Sequence, residues 1–142
     1  MKMSKSILAA VLGLSMAGLC NAGTVYVTGS SAMRSIFYNA CMHAGTVFSN
    51  APTYTVYQGG STGNNAGNGG NYMAFSGALV GGGGGTTTIQ CHWTGSEGGI
   101  ADVATAAQNT FIASPDGTDH GTNVPSTTSQ NVNLAMADKS QT

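Results

Sequence analysis

The chain has 142 residues, of which only 6% are charged, with four Lys or Arg against five Asp or Glu. That length suits one modest domain, and the absence of a basic patch argues against a nucleic-acid partner. Glycine, serine, threonine and asparagine dominate instead, so the apolar core must come from a few short segments.

Residues 1–22 read as an export signal. Lys2 and Lys5 give a positive start, Ile7 to Leu19 an apolar stretch, and Cys20-Asn21-Ala22 a cleavage end with small residues at its outer positions. The apolar stretch is too short to span a bilayer, and Leu19 stands where lipidation at Cys20 would call for a small residue. Cleavage after Ala22 predicts a periplasmic or secreted mature chain beginning at Gly23. Both signal lysines are then lost, which leaves Arg34 and Lys139 against Glu97, Asp102, Asp116, Asp119 and Asp138: two positive against five negative, a net of about −3. Cys41 and Cys91 remain. In an oxidising compartment they form either a disulfide or two buried free thiols, and the sequence leaves both open.

The mature chain opens on "TVYVT" (24–28), a β-rich run that leads into small turn residues. Met33, Ile36, Phe37, Ala40 and Cys41 then recur at helical spacing, with Ser30 or Ser31 as N-cap and Gly45 as the stop. "TYTVYQ" (53–58) and "NYMAFSGAL" (from residue 71) predict a β-hairpin around the low-complexity link "GGSTGNNAGNGG". A second loose run, "GGGGG" (81–85), precedes the third strand, "TTTIQCHW" (86–93). Ile100, Val103, Ala104 and Ala107 predict a second amphipathic helix capped near Gly95 or Ser96. Residues 114–131 read as a polar loop, and "NVNLAMAD" (131–138) as a last short strand.

Strand, helix, strand, helix, strand, with a glycine-rich hairpin inserted in the first crossover, predicts an α/β fold with a mainly parallel sheet and flanking helices. In such sheets ligands sit beyond the carboxyl ends of the strands. Residues 29–32, 95–99 and 136–140 fall there. Gly29-Ser30-Ser31 and Gly95-Ser96-Glu97-Gly98-Gly99 each offer backbone N–H groups and hydroxyls at a helix start, a chemistry suited to an oxyanion. Asp138 fits such a site if the ligand carries a proton that the carboxylate can accept.

"YVTGSSAM", "TGSEGGI" and "NLAMADKSQT" resemble, in order, the three N-lobe motifs of the phosphate-binding periplasmic proteins of ABC transporters. The resemblance covers most of residues 24–142. It implies a type 2 periplasmic-binding-protein lobe, with phosphate or another small oxyanion as ligand and an ABC permease as partner. It also implies that Ser31 and Ala32 bind through side chain and backbone, that Ser96 and Gly98 belong to the second binding loop, and that Asp138 accepts the proton of hydrogen phosphate. Met33, Arg34, Glu97, Ala137 and Lys139 depart from the family's wording. The family has two lobes, so residues 23–142 read as an incomplete first lobe.

Two other classes compete. A hydrolase would use Ser96, Asp116 and His120, which run in the chain order of that chemistry around a near miss to Gly-x-Ser-x-Gly; Asp116 and His120 fall in one short polar loop, so the expectation is that the chain is not an enzyme. A secreted surface or structural protein rich in Gly, Asn and Ser is the alternative, favoured by the low charge. No cofactor is expected, and His43, His92 and His120 lack metal-ligand spacing.

Overall fold

The computed structural model describes residues 23–57 and 70–138; the expected export signal (1–22), most of the glycine–asparagine link (58–69) and residues 139–142 lie outside them. In chain order the elements are β1 (Thr24–Gly29), a 3-10 turn (Ser31–Met33) running into α1 (Arg34–Met42), β2 (Thr53–Tyr57), β3 (Tyr72–Ala78), β4 (Thr86–His92), α2 (Ser96–Ala104), β5 (Gln108–Ile112), β6 (Thr127–Asn131) and β7 (Leu134–Met136).

The class is α/β, around a five-stranded sheet of order β2-β3-β4-β1-β7. The sheet is mixed. β1 runs parallel to β4 and β7, while β2–β3 and β3–β4 are antiparallel. The mainly parallel sheet expected from the sequence, with the hairpin inserted in the first crossover, is corrected here: the hairpin strands belong to the same sheet and run antiparallel. β3 and β4 are joined only by the turn at 79–85, and a connection so short cannot cross over the sheet, so β4 must return antiparallel to β3. Gly81, Gly83 and Gly84 have φ of +74°, +64° and +89° there, backbone that glycine adopts without a Cβ penalty.

The polar stretch 114–131 is not all loop. Its end forms β6, which pairs with β5 in a two-stranded antiparallel ribbon, Phe111 opposite Thr128. β6 reads TTSQN, so no apolar alternation marks it.

Side-chain alternation splits the sheet into two faces. Val25, Val27, Met73, Phe75, Ile89 and Cys91 form one face, covered by Phe37 and Cys41 of α1. Phe37 is 1% exposed and meets Phe75 and Trp93 edge-on, at centroid distances of 6.2 and 5.7 Å, a favoured aromatic geometry. Cys41 and Cys91 are both free and buried in this core, and burial pushes both thiols above their ordinary pKa. The other face carries Tyr26, Thr55, Tyr72, Gln90 and His92. The ribbon covers it, with Phe111 buried 4.8 Å from the Tyr26 ring.

α2 docks differently from the reading of its periodicity. Ile100 and Val103 are each 40% exposed, and the buried residue of the helix is Gly99. A Cβ on Gly99 would lie 2.6 Å from the Cα of Gly29. Helix and strand therefore touch backbone to backbone, which only glycine permits, and the apolar side chains at 100 and 103 turn outward.

Candidate functional site

The three parallel strands β4, β1 and β7 end on one side of the sheet, where the connections after β1 and β4 part. The first leads to α1 on the Val27 face; the second leads to α2, which is tied by side-chain hydrogen bonds to the His92 face. Adjacent parallel strands whose following helices leave on opposite faces open a crevice at their carboxyl ends.

Glycines close the floor of this crevice. Gly29 ends β1 at φ +131°, and a Cβ there would lie 2.0 Å from the Met136 carbonyl oxygen. The Ser30 N–H donates to that oxygen at 2.7 Å, and the Gly95 N–H donates to the Gly29 carbonyl at 2.8 Å. The Thr28 and Thr94 hydroxyls are hydrogen-bonded at 2.7 Å. Thus all three sequence segments, 29–32, 95–99 and the end of β7, are stitched together by main-chain contacts.

Ser96 and Asp138 meet directly: the Ser96 hydroxyl donates to the Asp138 carboxylate. Gly95 is the N-cap of α2 and contributes no side-chain cap, so the Asp138 carboxylate stands by the first turn of the helix. A helix N-terminus carries roughly half a positive charge, which favours a negative group there. Glu97, also in that turn, is exposed.

On the first loop, Ser30 rather than Ser31 caps the turn, its buried hydroxyl oxygen accepting from the Ala32 N–H at 3.1 Å. Ser31 and Ala32 are exposed, as is Gly98. Among the described residues no hydrogen bond joins Ser31 to Ser96 or Asp138.

Two polar clusters went unread in the sequence. In the first, the Asn109 amide is oriented from both ends. Its oxygen accepts from the Thr110 N–H at 2.7 Å and its nitrogen donates to Asp102 of α2 at 2.8 Å. That same oxygen lies 2.9 Å from His92 Nδ1, so neutral His92 carries its proton on Nδ1. The ring stacks on Tyr72 at 4.1 Å. Burial lowers the His92 pKa below its ordinary value, against the opposing pull of Asn109, Thr110 and Asp102.

The second cluster lies on the α1 side of the crevice. Arg34 Nη1 donates to Asn71 Oδ1 at 2.6 Å, and the Asn71 carbonyl accepts from the Trp93 backbone N–H at 3.0 Å. No sequence motif links positions 34, 71 and 93; only the register of β3 on β4, with Tyr72 opposite His92, brings them together.

The residues of the hydrolase alternative divide between two places. His120 Nε2 lies 2.9 Å from Asp116 Oδ2 and its ring stacks on Tyr57 at 4.2 Å, while Ser96 is engaged with Asp138. The hydrogen bond from His120 holds the Asp116 carboxyl below the usual carboxylate range. The same loop is fastened to β2, where Thr55 Oγ1 accepts from the N–H groups of Asp116 and Gly117 at 2.9 and 2.7 Å. It thereby shields an edge strand.

No protein-family model matches the chain, no curated protein matches its sequence, and no solved structure matches its fold.

Proposed function

We propose that the chain is an exported solute-binding protein, a lobe of the type 2 periplasmic-binding kind, whose crevice takes phosphate or a similar small oxyanion for delivery to an ABC-type permease. The observation that carries this reading is the junction of Ser96 with Asp138 over the glycine-lined ends of β1, β4 and β7. It supports a ligand that both accepts and donates hydrogen bonds. The first N–H groups of α2 favour negative charge, while Asp138, held in place by the Ser96 hydroxyl, accepts a proton that only a protonated oxyanion supplies. Ser31, Ala32 and Gly98, in the same loops, are exposed and complete the proposed site. The chemistry proposed is binding without turnover, and it needs no cofactor.

The test is titration of the mature chain with inorganic phosphate and with sulfate near pH 7, followed by the amide resonances of 95–99. Phosphate should bind about tenfold more tightly or better, since sulfate leaves the carboxylate facing an unprotonated oxygen. Asp138→Ala should abolish the difference. Equal response to the two ions, or an unchanged preference in Asp138→Ala, overturns the mechanism.

One observation favours the alternative of a secreted surface or structural protein. Ile100 and Val103 of α2 and Val124, which is 69% exposed, present apolar side chains to solvent, as an association surface would. Self-association that phosphate leaves unaltered would favour that reading.

A further inference from the structure

The crevice just described has a side that the serine, glycine and aspartate motifs do not account for. Arg34 begins α1 and lies three residues before Phe37, hence on the same side of the helix, the side packed on the sheet. Its guanidinium reaches over the end of β4 to Asn71. Trp93, whose backbone N–H donates to that same asparagine, follows the last residue of β4, has its ring 5.7 Å from Phe37, and is 5% exposed. The Trp93 indole N–H is buried with no hydrogen-bond acceptor among the described residues.

A buried N–H without an acceptor is costly and rare in folded proteins. Here it belongs to the residue whose backbone N–H is held by Asn71, the same asparagine that receives Arg34, at the carboxyl end of β4. We propose that Arg34 and the Trp93 indole form the charge-bearing wall of the crevice and bind two oxygens of one anion. The guanidinium fork supplies charge-assisted N–H groups whose planar spacing suits a group with two or more oxygens, such as phosphate. The indole supplies a single neutral donor, held in place by its packing on Phe37. Asn71 anchors the arginine, so it acts as a positioning residue.

The proposal rests on the oxyanion reading and adds two ligand-contacting residues that the motifs omit. It also limits the ligand class. A spherical anion satisfies the fork poorly, whereas a multi-oxygen anion engages it through two oxygens.

Trp93 is the only tryptophan of the chain, so its indole resonance is a direct reporter. The mature chain is titrated with inorganic phosphate, with chloride as control, while the indole N–H and the 95–99 amides are followed together. The expected result is an indole shift that saturates with the same midpoint as the amides, does not occur with chloride, and moves to about tenfold or more higher phosphate in Arg34→Gln. Arg34→Lys, which keeps the charge but not the fork, should fall between. Amide shifts with a silent indole and an unchanged midpoint in Arg34→Gln overturn this inference and leave the oxyanion reading standing. Silence of both reporters overturns the two together. Amide dispersion and near-ultraviolet dichroism of Arg34→Gln, compared with the parent, establish that its effect is not loss of fold.

Discussion

Replacing Gly99 by alanine tests whether backbone contact between α2 and β1 is what holds the candidate site together. The new Cβ would lie 2.6 Å from Gly29 Cα, 2.9 Å from Gly29 N and 3.3 Å from the Thr28 carbonyl carbon. Non-bonded carbons rest about 3.5–4.0 Å apart, so the helix must retreat by roughly 1 Å. Neither partner can yield cheaply. All three atoms are backbone, and Gly29 is itself pinned through its carbonyl to Gly95 and through Ser30 to Met136. Overpacking of this kind costs about 1–3 kcal/mol, and alanine's better helix propensity returns at most about 1 kcal/mol. The expected net loss is about 1–2 kcal/mol.

Gly98→Ala is the control, because its Cβ would meet only the Thr94 side chain, at 3.6 Å from the hydroxyl and 4.0 Å from Cβ, ordinary van der Waals distances. It should gain about 0.5–1 kcal/mol from propensity alone. Urea unfolding followed by Trp93 fluorescence reads both variants on one scale. If Gly99→Ala is as stable as the parent while Gly98→Ala is stabilised, the close-contact account is refuted.

Truncating Phe37 to alanine should cost about 3–5 kcal/mol, since a fully buried ring is removed from between Phe75 and Trp93; a loss below about 1 kcal/mol in urea unfolding would contradict the packing of α1 on the sheet. His92 predicts a pH dependence. Burial lowers its folded pKa below the ordinary 6.5, so the folded state binds the proton less readily than the unfolded chain does. The associated stability is complete above about pH 6.5 and is lost as pH falls through the lowered value. Unfolding midpoints between pH 8 and 5 should therefore decline more steeply in the parent than in His92→Asn, and parallel declines would refute the assignment.

What the sequence conveyed about the fold was what depends on near neighbours. "TVYVT" became β1, the Met33–Cys41 periodicity became α1, and the two runs around the glycine–asparagine link did pair antiparallel, Tyr54 opposite Phe75. Local pattern failed where a partner decides the conformation. β6 is a strand because β5 offers it a ladder, not because TTSQN has any strand pattern. Ile100 and Val103 have amphipathic spacing yet stay exposed, since the approach of Gly99 to Gly29 sets the rotation of α2. Periodicity gives which residues share a helix face; it does not say that the face is the buried one when a glycine allows closer packing elsewhere.

The candidate site divides along the same line. Gly29, Gly95, Ser96 and Asp138 were readable as loop residues after strands, because each motif is contiguous and the crevice rule depends only on strand direction. Arg34, Asn71 and Trp93 were not, since the segments carrying them meet only after β3 has paired with β4. That antiparallel pairing is also the feature that makes the sheet mixed. Tyr72 opposite His92 sets Asn71 beside Trp93, at the end of β4, and Asn71 then receives the Arg34 side chain. The hairpin is therefore part of the site's construction: by reversing direction at the turn after β3, it carries the start of one antiparallel strand to the carboxyl end of a parallel one. A shift of that register by two residues would preserve the sheet faces but move Asn71 away from Trp93, separating the arginine's anchor from the crevice it serves.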